Sequence, residues 1–219
     1  MTLMPEHFLE NNIYSQTTKV PHQKLWEKLL PSRSFFPSSD GVDISVTFSF
    51  NDIDTGVRKL MNKCKLFEKE EKISKEYYDT FKYLRECLQE FTNLLPNKSY
   101  KVKIESSKGN KGQKCPKWHT DYVPIRLILA LHEPGVNYAL FPETQYKNYV
   151  NACNEIDVHF ANKIMDKEFG ECIKRFDAGD YVVLRGKKWK SCDSGAIHRS
   201  PNMNPFQGRV VMTVDVVED

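Results

Sequence analysis

The stretch Lys117-Trp118-His119-Thr120-Asp121-Tyr122 decides how the rest of the chain is interpreted. In an extended strand, alternate side chains lie on the same face and each residue advances about 3.3 Å. His119 and Asp121 would therefore lie on one face, with their Cα atoms about 6.6 Å apart. An imidazole and a carboxylate at this spacing can bind the same metal ion.

Two later stretches supply the groups that complete such a site: Ala196-Ile197-His198-Arg199-Ser200-Pro201 and Gly208-Arg209-Val210-Val211-Met212-Thr213. The first contains a second imidazole and the second contains a guanidinium. Two imidazoles and one carboxylate are the ligand set of non-haem Fe(II) oxygenases, and they leave coordination positions open. The sequence therefore predicts a metal site formed by His119, Asp121 and His198.

The pattern also predicts where Arg209 lies relative to this site. Residues 196–200 are typical of a strand end, residues 201–208 of a loop, and residues 209–217 of a returning strand. If Ser200 pairs with Arg209, then His198 and Arg209 are diagonal neighbours with Cβ atoms roughly 7 Å apart. Arg209 could then grip the far carboxylate of a metal-bound dicarboxylate. A slip of one residue would turn Arg209 to the opposite face.

The spacing of these four residues resembles that of the 2-oxoglutarate/Fe(II)-dependent dioxygenases, whose scaffold is a double-stranded β-helix. More specifically, residues 118–127, 179–186 and 198–201 are similar to the domain-of-unknown-function family numbered 1826. The likeness covers about residues 98 to 217. It implies an α+β protein with a double-stranded β-helix core, of the jelly-roll or cupin-like type, and supporting N-terminal helices.

The resemblance also implies an activity. Fe(II) held by His119, Asp121 and His198 would chelate 2-oxoglutarate, and Arg209 would pair with the distal carboxylate of that cosubstrate. Succinate and carbon dioxide would form, and a substrate would be hydroxylated or oxidatively demethylated. Thr213, on the same face as Arg209, would help to orient the acid. The family pattern has Ser or Thr two residues after the Arg, whereas this chain has Val211.

Two further residues are candidates for binding the cosubstrate. Arg126 falls in a strongly apolar, strand-like run over residues 124–132, and a charged group buried there needs a partner. That partner is either a cosubstrate or substrate carboxylate, or an acidic neighbour such as Glu133 or Asp180. Tyr138, in a predicted short strand over residues 137–141, could offer its hydroxyl to a ligand or simply pack.

The rest of the chain predicts the supporting elements. Residues 1–21 show no strong period, which predicts an irregular lead-in. Residues 42–50 alternate as a half-buried strand, and residues 52–67 and 74–95 have the periodicity of helices packed outside the sheet. Residues 1–97 therefore form the lead-in, one strand and the helices, and residues 98–219 form the metal-binding core.

Several remaining segments are predicted by pattern alone. Residues 143–169 indicate a helical insertion, and residues 172–176 and 181–184 indicate a hairpin. The basic loop at residues 187–190, which contains Trp189, would either touch an anionic substrate or be solvated with one anchoring Trp. His7, His22, His132 and His159 are interpreted as structural or exposed.

Composition bounds the classes of function. At 219 residues and 40% hydrophobic composition the chain can bury a core, and a net charge of +3 gives no strong nucleic-acid signal. There is no run of eighteen apolar residues and no layout typical of a secretory signal, so cytosol, or nucleus by diffusion, is the expected compartment. Six scattered cysteines are then expected to be reduced thiols.

Three functions follow as hypotheses. The first is a 2-oxoglutarate- and Fe(II)-dependent dioxygenase acting on a small molecule, a protein side chain or a nucleobase. The second is a non-catalytic, cupin-like metal-binding or metal-handling protein, with zinc bound partly through Cys115 or Cys192. In that case Asp121 and Arg209 would have no evident purpose. The third is a catalytically silent interaction module. The oligomeric state does not follow from the sequence.

Overall fold

The structure, a computed structural model, describes residues 13–31, 41–109, 115–139, 143–189 and 195–217. These ranges contain nine strands and five α-helices. The strands are β1 (Ile13–Thr17), β2 (Asp43–Ser49), β3 (Ser99–Lys108), β4 (Ile125–His132), β5 (Asn137–Ala139), β6 (Ile173–Arg175), β7 (Asp180–Arg185), β8 (Ile197–Arg199) and β9 (Gly208–Val217). The helices are α1 (Gln23–Trp26), α2 (Ile53–Cys64), α3 (Lys75–Thr92), α4 (Glu143–Glu155) and α5 (Val158–Phe169).

The strands form two antiparallel sheets. The larger has the order β1-β7-β4-β9-β3-β2 and the smaller has the order β6-β5-β8. His119 extends the smaller sheet through a bridge to His198 in β8. From β3 onward the chain passes repeatedly between the sheets: β3, β4, β7 and β9 belong to the larger, whereas His119, β5, β6 and β8 belong to the smaller.

This alternation between two sheets is the strand order of a double-stranded β-helix, a jelly-roll architecture. The sheets are not closed into a barrel. The predicted α+β class and the β-helix core are therefore confirmed. Each of the predicted metal ligands lies in or beside the smaller sheet, whereas Arg209 lies on β9 of the larger sheet.

The N-terminal helices cover the outer face of the larger sheet. Helix α2 buries one stripe and α3 another, and both pack in one cluster with alternate residues of β3 and β9. These contacts include Leu60, Leu88, Tyr100 and Val214. Along β9, residues 210, 212, 214 and 216 face the helices, so residues 209, 211, 213 and 215 face the smaller sheet. None of the helices in the described ranges is long and apolar enough to cross a membrane.

The expected irregular lead-in is wrong for residues 13–17, which form β1 at the edge of the larger sheet. Ile13 lies opposite Leu184 of β7, and Thr17 lies opposite Asp180. Only Ile13 of the five residues is buried. Residues 13–17 carry no strand signal because an edge strand with one buried side chain has no hydrophobic alternation.

The two hairpins predicted in the second half of the chain are also wrong. Strand β8 pairs with β5 and not with β9, and β9 pairs with β3 and β4. Likewise β6 pairs with β5, whereas β7 pairs with β1 and β4. Alternation in a sequence reports which face of a strand is buried, but it does not report which strand lies alongside. In a double-stranded β-helix, consecutive strands often belong to opposite sheets.

Candidate metal centre

The three predicted metal ligands come together in the structure. One potential ligand atom from each of His119, Asp121 and His198 lies within 4.8 Å of the other two. His198 Nε2 is 3.2 Å from Asp121 Oδ2, and His119 Nε2 is 3.6 Å from Asp121 Oδ1. Two imidazoles and one carboxylate in this arrangement could hold a metal ion.

Backbone pairing sets the positions of both imidazoles. His119 N donates to His198 O at 3.0 Å, and His198 N donates to His119 O at 2.9 Å. Residues directly opposite one another in an antiparallel pair project to the same face. The two rings consequently lie with their centroids 4.4 Å apart.

The opposite face of the same strand pair carries Trp118 and Arg199. The Arg199 guanidinium carbon lies 4.5 Å from the centre of the Trp118 ring, which is a cation–π contact. Arg199 Nη2 also donates to both carboxylate oxygens of Asp166 in α5, at 2.9 and 2.7 Å. If the two paired segments slipped by one residue, their two faces would be exchanged. The buried contact between Arg199 and Trp118 therefore fixes the register that brings the histidines together.

Helices α4 and α5 hold the segment that precedes His119. Trp118 N donates to the hydroxyl of Tyr149, and that hydroxyl donates to Asn162 Oδ1, at 2.9 and 2.7 Å. Asn162 Nδ2 in turn donates to Pro116 O at 2.8 Å. The sequence predicted a helical insertion here but not this role, because single polar residues on an otherwise apolar helix face are common in any sequence.

Hydrogen bonds at Nδ1 orient both histidines. His119 Nδ1 lies 2.8 Å from Lys117 O, and His198 Nδ1 lies 3.1 Å from Ala196 O. A carbonyl oxygen only accepts, so Nδ1 carries the proton in both rings. The Nε2 atoms then face Asp121, and their lone pairs are available for a metal when the rings are neutral. Donation from Nδ1 to a carbonyl is the usual outer support of a metal-binding histidine.

Asp121 is an ionised carboxylate with incomplete hydrogen bonding. Burial by itself would raise its pKa, but contacts with His119 and His198 and the positive charge of Arg126 hold the pKa well below the ordinary value. Oδ2 is buried and makes no hydrogen bond of ordinary geometry within the described residues, although Arg126 Nη1 is 2.8 Å away. A buried anionic oxygen beside two imidazoles fits a divalent cation.

Arg126 is committed to protein carboxylates. Its Nε and Nη2 donate to the two oxygens of Asp215 at 2.7 and 2.8 Å, and its Nη1 contacts Asp121. The expected acidic partner is therefore present, but it is neither Glu133 nor Asp180. Strand pairing placed Asp215 directly opposite Arg126, and the sequence could not report that pairing.

Arg209 makes no ion pair with a carboxylate within the described residues, although the negative charge of Glu105 acts on it and favours its protonated form. Its Nε donates to Pro134 O at 2.9 Å, and its Nη1 donates to Ser200 Oγ at 3.3 Å. Nη2 makes no hydrogen bond to a described residue. Burial lowers the pKa of Arg209 to about 10, so the guanidinium stays protonated at neutral pH. The predicted backbone pairing of Ser200 with Arg209 is absent, yet their side chains meet.

Two other candidates lie on neighbouring strands. Tyr138 is directly opposite His198, on the same face, and its ring stacks on Phe176 with centroids 5.1 Å apart. The Tyr138 hydroxyl has no hydrogen-bond partner among the described residues. Thr213 shares its face of β9 with Arg209 and lies opposite Ile128. Thr213 therefore lies on the predicted face of its strand.

The thiol-based zinc site is not supported by the described residues. The cluster of potential ligands contains no cysteine, and Cys192 lies outside the described residues. The nearby loop at residues 187–189 is anchored by Trp189, which packs against the main core. Lys188 Nζ lies 4.8 Å from the centre of the Tyr122 ring. This agrees with the interpretation of a solvated loop with one anchoring Trp.

Fold and site together define a double-stranded β-helix protein with a cluster of two histidines and one carboxylate that could hold a metal ion. The model of the family described as "Protein of unknown function (DUF1826)" matches residues 23–215, so the chain belongs to that family. The suspected family resemblance is thereby confirmed. A search of curated proteins with this sequence found no match.

Several solved structures are similar in shape to this chain. The dioxygenase for auxin oxidation 1 from Arabidopsis thaliana, in a complex with 2-oxoglutarate, is 7% identical with a TM-score of 0.46, covering 95% of this chain and 84% of that one. A prolyl-4-hydroxylase from Pseudomonas putida is 11% identical with a TM-score of 0.36, covering 97% and 96%. AviO1 from Streptomyces viridochromogenes is 12% identical with a TM-score of 0.39, covering 100% and 96%.

Proposed function

We propose that this protein is a 2-oxoglutarate- and Fe(II)-dependent dioxygenase that hydroxylates or demethylates a substrate. The observation that carries the proposal is the combination of a two-histidine, one-carboxylate cluster with a half-buried arginine, Arg209, that makes no ion pair with a carboxylate among the described residues. A half-buried guanidinium that no carboxylate contacts directly favours binding of an anion.

The ligand set favours Fe(II). Two imidazoles and one carboxylate leave coordination positions open, which suits a metal that must also bind a cosubstrate and dioxygen. With 2-oxoglutarate bound, such a metal supplies oxidative decarboxylation, in which one oxygen atom of O₂ enters succinate and the other enters the substrate. His119, Asp121 and His198 hold the metal in this proposal.

Arg209 is the better of the two arginines for the distal carboxylate of 2-oxoglutarate. All three Arg126 nitrogens already contact Asp215 or Asp121. Arg209 is held by Pro134 O and Ser200 Oγ, which leaves Nη2 available. Tyr138 and Thr213 are the neighbouring hydroxyl groups that would complete binding of the diacid.

A second function remains a candidate because of one residue. Val211 stands where the dioxygenase pattern has Ser or Thr, so one hydroxyl expected near the distal carboxylate is missing. A metal-binding protein without turnover, holding zinc or iron through the same three ligands, is the alternative that this substitution favours.

Anaerobic absorption spectroscopy tests the proposal. The metal-free protein is loaded with Fe(II) and titrated with 2-oxoglutarate in the absence of oxygen. Chelation of iron by the cosubstrate produces a charge-transfer band in the visible range, and we expect this band in the wild type. The His119→Ala variant is the negative control. Retention of Fe(II) without the band would favour the alternative, and an absence of Fe(II) binding would overturn the proposed dioxygenase.

Substrate class is then open to a direct assay. Small molecules, peptides and nucleobases are supplied to the Fe(II) protein with 2-oxoglutarate and oxygen, and succinate release is measured. The active class raises succinate above the uncoupled background. The proposed oxygenase activity is overturned if no class does so while the charge-transfer band is present.

A further inference from the structure

A chain of ionic contacts links Asp121 to strand β9 of the larger sheet. On one side of Arg126, Nη1 lies 2.8 Å from Asp121 Oδ2. On the other side, Nε and Nη2 donate to both oxygens of Asp215, at 2.7 and 2.8 Å. Arg126 and Asp215 are directly opposite one another on β4 and β9. The guanidinium is therefore held at both ends.

This contact chain is well shielded from solvent. The side chains of Arg126 and Asp215 are each 25% exposed, and that of Asp121 is 14% exposed. The two parallel hydrogen bonds from a guanidinium to one carboxylate fix the plane of both groups. The Arg126 guanidinium is consequently held in place and cannot easily turn with the Asp121 carboxylate that it contacts.

The position of Arg126 constrains how Asp121 meets the two imidazoles. Arg126 Nη1 and His198 Nε2 both lie beside Oδ2, at 2.8 and 3.2 Å, while Oδ1 faces His119 Nε2 at 3.6 Å. Residues that orient a metal ligand from outside typically change metal affinity 10- to 100-fold when they are removed. A carboxylate with a fixed orientation also loses less rotational freedom when it binds an ion.

We propose that Arg126 is a positioning residue for the metal centre: anchored by Asp215, it orients the Asp121 carboxylate toward His119 and His198 and so raises the affinity of the site for a divalent cation. This inference rests on the metal centre of the proposed function but not on the use of 2-oxoglutarate. It gives the Arg126–Asp215 pair a role beyond joining two strands.

Arg126 has two opposing effects on metal affinity, so the direction of the change when it is replaced is informative. A positive group near a divalent cation repels it, which would weaken binding. Orientation of Asp121 strengthens binding, and Asp215 offsets much of the Arg126 charge. A pair that only stabilised the sheet would change unfolding and leave metal affinity unaltered.

The experiment is a titration of metal-free protein with Co(II), whose visible spectrum reports both occupancy and ligand geometry. Wild type, Arg126→Gln and Asp215→Asn are compared, without 2-oxoglutarate. We expect Arg126→Gln to bind Co(II) about 10- to 100-fold more weakly with an altered spectrum. Asp215→Asn should also weaken Co(II) binding and alter the spectrum, but by less than Arg126→Gln does. Arg85→Gln, which removes the 2.7 Å ion pair with Asp54 between α2 and α3, is the matched control and should leave both unchanged.

Unchanged or tighter Co(II) binding by folded Arg126→Gln would overturn the inference. If that variant does not fold, Asp215→Asn decides by the same measurement, and wild-type affinity there overturns it. A wild type that binds no Co(II) refutes the metal centre itself. Because no cosubstrate is present, the test is independent of whether the protein uses 2-oxoglutarate.

Discussion

His119 and His198 are joined by two reciprocal backbone hydrogen bonds, of 3.0 and 2.9 Å, and their ring centroids lie 4.4 Å apart on one face of the strand pair. The pairing brings together two imidazoles from distant parts of the chain. The meeting of the three potential metal ligands depends on that pairing, since the third of them, Asp121, follows His119 along the same segment. Substitutions at four places in the chain would each disturb a different contact that maintains or uses this geometry.

Replacing a metal ligand should abolish metal retention. His119→Ala or Asp121→Ala removes one of only three protein ligands, so we expect no bound metal after purification without chelator, as measured by elemental analysis. His159→Ala, at an exposed position of α5, is the control and should retain as much metal as the wild type. A His119→Ala protein with full metal content would mean that the ion lies elsewhere.

Replacing Arg209 should separate metal binding from cosubstrate binding. Arg209→Met keeps much of the side-chain length but removes the charge, so Fe(II) should remain while the apparent affinity for 2-oxoglutarate falls about 100-fold or more, the loss of a charge-assisted pair. Titration of the charge-transfer band measures this. The control is Arg175→Met, which removes an exposed pair with Asp177. Wild-type affinity for 2-oxoglutarate in Arg209→Met would contradict the assigned role.

Breaking the outer contact of Arg199 should destabilise the protein. Asp166→Ala leaves Arg199, whose side chain is only 3% exposed, without its carboxylate. We expect a loss of about 2–3 kcal/mol in the free energy of unfolding, below the full range for buried pairs because Asp166 is 35% exposed. Urea denaturation of the metal-free protein measures it. Asp54→Ala breaks an exposed pair with Arg85 and should cost about 1 kcal/mol or less.

Adding one methyl group at Gly186 should disturb the segment that carries Asp121. A Cβ there would lie 1.9 Å from Val123 O and 2.9 Å from Asp121 O, so the backbone after the ligand must move. We expect Gly186→Ala to lower stability by about 1–3 kcal/mol and to weaken Co(II) binding. Gly170→Ala is the control, because a Cβ there meets nothing within 4 Å. Equal metal affinity in the two variants would show that this close approach does not position the site.

Much of the site could be predicted because its residues have local signatures. His119 and Asp121 are two positions apart in an extended segment, and that spacing alone puts them on one face. In the strand-like run that contains Arg126, alternation puts this residue on the face opposite Leu127 and Leu129, which pack in the main core. The proposed boundary at residue 97 stays a prediction, as do the compartment and the partners.

The partners of charged residues could not be predicted in the same way. Arg126 binds Asp215 because β4 and β9 are adjacent in the larger sheet, and Arg199 binds Asp166 because α5 packs behind β8. Sequence separation gives no information about either contact. Strand β1 was missed for a related reason, since its partner β7 lies far along the chain.

By itself, the sequence determined the family, the residue types of the candidate metal site and the faces of the strands that carry them, because hydrophobic periodicity and side-chain alternation are local properties of the chain. Only the tertiary structure decided which strands are neighbours. That choice placed β8 and β9 in different sheets, committed Arg126 to Asp215 and left Arg209 without a carboxylate partner among the described residues. The physical reason is that strand partners are selected by burial and hydrogen bonding summed over whole sheets, and no short stretch of sequence contains that sum.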